Sequence, residues 1–282
     1  MASLGTEGRF FFAHIHKASG TSFIQFMNKQ AGLVDCEREG LTSIDHVHIG
    51  MLDGFHAWWN GSRKDCNWAS TEIVQPGLST MVHQFGGGTA SPALVTFLRH
   101  PPARCRSAWA YDHRICSPPQ SFSWKYCHSW FLPRYGNRTQ PIRERHRQFV
   151  KEKCADFMTK RLAIAGRRDD AATVLQRLQF VGVTEYFEES LCLFLHIVGR
   201  FPHDLCTCPK AGGGLRIDAH VIPQLRSRNE SASNVSLYVS DVDLARHNIR
   251  DMALHEAALS RLKLRVQMLE SKLNARIWDC RA

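Results

Sequence analysis

Three short runs of nearly unbroken apolar residues punctuate the chain: Arg9–His16 (RFFFAHIH), Ala93–Arg99 (ALVTFLR) and Leu178–Val183 (LQFVGV). They are too short for helices and do not alternate apolar with polar, which is the pattern of strands buried on both faces. Each run leads into a segment of helical spacing. Phe23–Gln30 places Phe23, Phe26 and Met27 on one face. Pro101 and Pro102 stand where a first helical turn tolerates proline, opening a helix through His113. Thr184-Glu185 ends the third strand, with Thr184 as the N-cap of an amphipathic helix over Phe187–Val198. Strand followed by helix, three times over, predicts an α/β fold: a single domain with a central parallel sheet flanked by helices. Such sheets bind ligands beyond the carboxyl ends of their strands, so the loops after the three strands are the places to look for chemistry.

The remaining segments are less periodic. Leu33–Pro92 reads as short helices and loops, with a break at Gly86–Gly88 and Pro92. Residues 114–145 look like an insertion rich in Pro, Ser, aromatic residues and Arg, pinned by Cys116 and Cys127. Helices are expected over 146–163 and 169–178, and a loop over 202–238. A long C-terminal helix over 241–277 carries Leu259, Leu262, Val266, Leu269 and Leu273 three and four apart; the spacing also fits a coiled-coil seam, but the helix is expected to pack along its own domain. The domain therefore runs over 9–282, after a tail at 1–8.

Lysine and arginine number 36 against 26 aspartates and glutamates, a net charge of +10. That excess suits a polyanionic partner: nucleic acid, anionic lipid or acidic polysaccharide. No recognised nucleic-acid motif is present. No apolar stretch has the length of a membrane span, and Met1–Gly8 lacks the blocks of a signal peptide. The expectation is a cytosolic protein or a chain whose membrane anchor lies upstream. Ten scattered cysteines and four glycosylation triplets, at Asn60, Asn137, Asn229 and Asn234, point to a secretory lumen. His203, Cys206 and Cys208 cluster, but C-x-C without a second ligand pair reads as disulfide or free thiol rather than zinc.

Two loops carry candidate chemistry. His16-Lys-Ala-Ser-Gly-Thr-Ser22 is a small-residue turn at a helix start, whose backbone N–H groups would cradle an anion. Lys17 adds a positive charge, and Thr21 and Ser22 add hydroxyl donors. The bland alternative is a helix N-terminus with an incidental lysine. In Leu98-Arg-His-Pro-Pro-Ala-Arg-Cys-Arg-Ser107, an arginine ends a strand and a serine follows about two helical turns later, so Arg99 and Ser107 can converge on one anion. Here the alternative is a surface arginine and a water-facing serine.

In order, HKASGTSF, FLRHPPARCRSAW and FVGVTEYFEESL resemble the three motifs of the Golgi carbohydrate sulfotransferases, especially the heparan sulfate and uronyl 2-O-sulfotransferase branch. The resemblance implies a P-loop-like core that binds 3′-phosphoadenosine 5′-phosphosulfate (PAPS). Lys17, Ala18, Ser19, Gly20, Thr21 and Ser22 would hold the 5′-phosphosulfate; Arg99 and Ser107 would hold the 3′-phosphate. His100 departs from the usual aspartate, and Arg226-Ser-Arg228 is the candidate for a cofactor-covering loop. An acidic polysaccharide would be the acceptor in the Golgi lumen, with no metal and no nucleic acid involved.

Sulfuryl transfer needs a base for the acceptor hydroxyl. The 2-O branch places a histidine just upstream of the second motif, where this chain has His83; His46, His48 and His56 are alternatives, and Glu185 comes next if no histidine serves. Lys17 would neutralise charge on the leaving phosphate. Two other readings stay open. A nucleotide kinase would share the layout but should place a lysine after the glycines and a carboxylate for Mg²⁺. A non-catalytic heparin-like glycan-binding module would need only the basic surface.

Overall fold

The computed structural model describes residues 10–29, 33, 68–72, 93–116, 127–136, 140–163, 168–202, 206–208 and 239–278. Their elements run β1 (Phe10–His14), α1 (Gly20–Lys29), β2 (Trp68–Glu72), β3 (Ala93–Leu98), α2 (Pro101–Ile115), α3 (Leu132–Tyr135), α4 (Ile142–Phe149), α5 (Phe157–Leu162), α6 (Ala171–Gln176), β4 (Phe180–Val183), α7 (Phe187–Ile197), α8 (Asp241–Arg246) and α9 (Ile249–Leu273). Short π-turns occupy Cys127–Phe131 and Val150–Cys154, and a 3₁₀ turn occupies Thr184–Tyr186.

The four strands form one parallel sheet in the order β2-β1-β3-β4. Every residue of β1, β3 and β4 is buried, which is why these three are continuous apolar runs. β2 corrects the expectation of only helices and loops over 33–92. Among the described residues it lies at the edge of the sheet and reads WASTE; its Trp68 is fully buried and stacks on Phe10 at 6.3 Å. Phe12, Phe23, Phe97, Phe180 and Phe194 interlock around the sheet, with ring centroids 4.6–6.4 Å apart.

α9 packs on this core through Leu254, Ala258, Leu262, Val266 and Leu269, and lies along its own domain as its spacing predicts. Arg261 donates to the Leu175 and Leu178 carbonyls at 2.6 and 3.1 Å, and Arg265 to that of Gln179 at 3.0 Å, tying the helix to the entry of β4. The C-terminal helix is not continuous over 241–277: α8 ends at Arg246, and α9 restarts at Ile249 and stops at Asn274 in the left-handed conformation. The helix expected over 146–163 is likewise broken. A π-turn follows Phe149, and Asp156 has φ 46°, so the chain turns before α5.

A second, smaller core gathers Cys105, Trp109, Phe131, Tyr135, Phe149, Val150 and Leu244 beside α2. It is cross-linked by Cys105–Cys154 and Cys116–Cys127, the latter joining the two cysteines expected to pin residues 114–145. Cys192–Cys206 staples the main core, and Cys208 is also disulfide-bonded, so the thiolates of a zinc site are absent there. Among the described residues no helix is long and apolar enough to cross a membrane.

Candidate active site

From β1 the chain passes to β2 on one side and then to β3 on the other, so the strand order reverses between β1 and β3. The carboxyl ends of those two strands flank the crevice where open α/β sheets bind ligands. Pairing of Ala13 with Thr96, and of Leu98 with Val183, brings the exits of β1, β3 and β4 to one edge.

The loop leaving β1 is tightly wound. Lys17 and Ser19 have φ of 64° and 62°, while Ala18 between them does not share the left-handed conformation. Two non-glycine residues in that region cost about 1–2 kcal/mol each. Left-handed residues set among residues of ordinary hand are the backbone pattern from which anion nests are built. The Ala18 N–H donates to the Ile15 carbonyl at 3.1 Å, and the first helical bond runs from Phe23 N–H to the Ser19 carbonyl at 3.0 Å. The amides of Gly20, Thr21 and Ser22 thus precede the helical ladder, where α1's positive dipole end lies, with no acidic side chain in the first turn. The Ser19 hydroxyl is buried without a hydrogen-bond partner among the described residues. Gly20 is required by a close approach: a Cβ there would lie 1.7 Å from His14 Cδ2.

Lys17 extends over the Tyr111 ring of α2, its Nζ 3.7 Å from the centroid, and His16 meets the same ring edge-to-face at 5.8 Å. Burial first, and then the positive charges of Lys17 and Arg104, push the His16 imidazole well below its ordinary pKa, so it is neutral at pH 7. Arg99, leaving β3, donates from Nη1 to the Lys17 carbonyl at 3.4 Å. Burial lowers its pKa and the Glu185 carboxylate opposes that effect, which leaves a charged guanidinium beside the nest. The two loops singled out from the sequence therefore meet. Ser107 lies half-buried on α2, one helical turn before Tyr111.

Pro101 and Pro102 open α2 as expected, and His100 precedes them without a side-chain cap bond. Arg104, the other arginine of this stretch, is a core residue. It is 1% exposed, donates to the Lys153 and Cys154 carbonyls at 3.3 and 3.5 Å, and lies 4.3 Å over the Phe157 ring. Thr184 is not the N-cap of α7: it opens the 3₁₀ turn, and α7 begins at Phe187. Glu185 uses both carboxylate oxygens, accepting from the His100 N–H at 2.9 Å and pairing with His255 Nε2 at 3.2 Å. Burial pushes its carboxyl up, but these hydrogen bonds outweigh burial and hold it below the ordinary range. Both oxygens are engaged beside Arg99.

His83, His46, His48, His56, Arg226 and Arg228 lie outside the described residues. Among the described residues no His, Cys, Asp and Glu cluster could hold a metal ion. Tyr111, Glu185 and His255 join the site without having been assigned these places from the sequence. Tyr111 lies one helical turn from Ser107, a spacing that could have marked it; nothing local points to His255, 70 residues from its partner.

No known family model and no curated protein matches the chain. Among solved structures it is similar to a sulfotransferase from Alicyclobacillus acidocaldarius at 15% identity and a TM-score of 0.38, over 88% of this chain and 98% of that one. Agreement of that size leaves the function to be argued from the residues of the site.

Proposed function

We propose that this protein is a PAPS-dependent sulfotransferase that transfers a sulfuryl group to a hydroxyl of an acidic glycan. The observation that carries the reading is the meeting of two anion-binding elements at the switch point, with Arg99 hydrogen-bonded to the carbonyl of Lys17. PAPS bears two separated anionic groups. The nest of residues 17–22 suits the 5′-phosphosulfate, and Arg99 with Ser107 suits the 3′-phosphate. The Ser19 hydroxyl, unpartnered among the described residues, and the amides that start α1 are donors of the kind a phosphosulfate needs.

In this reading His83 takes the proton of the acceptor hydroxyl as its oxygen attacks sulfur. The bond from sulfur to the bridging phosphate oxygen breaks in line, and 3′-phosphoadenosine 5′-phosphate (PAP) leaves. Lys17 moves from the Tyr111 ring to the phosphate oxygen, where negative charge grows. No metal takes part. An acidic acceptor is favoured because exposed Arg114 lies 6.0 Å from the Tyr111 ring that carries Lys17, on a chain of net charge +10. The disulfides support a luminal setting, and the Golgi lumen is where such acceptors are sulfated.

The test is transfer of radiolabelled sulfate from PAPS to a panel of desulfated glycosaminoglycans, alongside calorimetry with PAP. Binding and transfer are expected. A folded protein that fails to bind PAP at millimolar concentration refutes the reading. One that binds glycans without PAP is a glycan-binding module instead.

A further inference from the structure

We infer that Glu185 is the positioning residue of the Arg99 anion subsite, holding the bend between β3 and α2 in its ligand-ready shape; this rests on the function proposed above. Arg99 and His100 join a buried strand to a helix that begins with two prolines. Those prolines have no N–H to donate, so the bend's own amides have few ways to be pinned locally. The His100 amide is pinned from a different strand: Glu185 Oε1 accepts it at 2.9 Å from the end of β4. The other oxygen, Oε2, meets His255 Nε2 at 3.2 Å, and His255 is 6% exposed on α9. The His100 and His255 rings also meet edge-to-face at 5.5 Å. One carboxylate thus fastens three separate elements around the arginine: the β3–α2 bend, the end of β4 and the C-terminal helix.

The arrangement is specific in geometry. A carboxylate one methylene shorter cannot hold the bond to His100 and the contact to His255 from the same backbone position. An amide of the same length can, since its oxygen accepts the His100 N–H and its NH₂ can donate to a neutral His255. The charge of Glu185 lies beside Arg99 and opposes an incoming phosphate, so its benefit to the site is geometric. A group that only stabilised the fold would affect every ligand of the nest alike. A group that positions Arg99 affects only ligands bearing the 3′-phosphate.

The experiment is calorimetric titration of wild type, Glu185→Ala, Glu185→Asp and Glu185→Gln with PAP and with adenosine 5′-phosphate, which lacks the 3′-phosphate. Thermal melts check that each variant is folded. The expected result is a loss of about ten- to thirtyfold in PAP affinity for the Ala and Asp variants, the scale of a misplaced charge-assisted hydrogen bond. Their affinity for adenosine 5′-phosphate should change less than about threefold, and Glu185→Gln should bind PAP within about threefold of wild type. Equal loss of both nucleotides, an unaffected Asp variant, or a Gln variant as weak as Ala would overturn the inference. Wild-type protein that binds neither nucleotide would refute the proposed function and the inference with it. Wild-type binding with an unaltered Asp variant would remove only the role of Glu185.

Discussion

Replacing Gly20 by alanine separates local helix propensity from the packing of the nest. Gly20 begins α1, and its φ lies outside the left-handed region, so alanine fits the backbone. Reduced freedom of the unfolded chain alone would make Gly20→Ala stabilising by about 0.4–1 kcal/mol. Packing predicts the opposite sign. The new Cβ would lie 1.7 Å from Cδ2 and 2.0 Å from Nε2 of His14. The His14 ring is 7% exposed and stacks on Phe12 at 5.8 Å, so it cannot swing into solvent without opening the core. Overpacking of this kind costs about 1–3 kcal/mol, which leaves a net loss of about 1.3 kcal/mol at the middle of the two ranges and at most about 2.6. Differential scanning calorimetry should show Tm lowered by roughly 2 °C, and by no more than about 4–5 °C, for a chain of this size. Shortening the clashing ring should relieve the strain, so Gly20→Ala in a His14→Ala background should cost less by at least about 1 kcal/mol. A Tm at or above wild type for the single variant, or strict additivity in the double, would refute the contact between His14 and the start of α1.

Arg99→Ala should weaken PAPS by about 1.5–3 kcal/mol while sparing adenosine 5′-phosphosulfate, which lacks the 3′-phosphate; equal weakening in calorimetry contradicts its assignment. His83→Ala should bind PAP normally yet transfer sulfate at least about a hundredfold more slowly, with His46→Ala, His48→Ala and His56→Ala milder; near-normal turnover in His83→Ala would move the base elsewhere. Acid should destabilise the fold through His146, whose pKa is lowered from 6.5 to about 4 by burial and then by Arg106. A depressed histidine contributes fully above the unfolded value and loses that contribution as pH falls, so up to about 3 kcal/mol should disappear between pH 6.5 and about 4. His146→Phe, which keeps a ring against Trp109, should flatten that slope in urea titrations; an unchanged slope would clear His146 of the effect.

The inner strands were legible because burial on both faces demands unbroken apolar residues, and FFFAH, ALVTFL and FVGV meet that demand locally. The Lys17 loop and Arg99 were legible for a related reason. Each sits immediately after such a strand, and parallel strands deliver their carboxyl ends to one edge. β2 was hidden because WASTE lacks the unbroken apolar run that marks the inner strands, Trp68 being its single large apolar residue. The breaks at Asp156 and at His247–Asn248 were hidden too, since their surroundings keep helical composition while the caps depend on contacts made elsewhere. Asp251, for instance, accepts from the amides of Met158 and Thr159 at 2.9 and 2.7 Å, across more than ninety positions of chain. Arg104 and Arg99 look equivalent five residues apart on paper. Helical rotation sends Arg104 into the core under Phe157, while Arg99 stays at the sheet's edge. The pairings Cys105–Cys154 and Cys192–Cys206, and the meeting of Glu185 with His100 and His255, were decided only by the packed structure. Periodicity reports which face of an element is buried. It carries no record of which distant element will cover that face, and these contacts exist only once the sheet and α9 have brought their partners together.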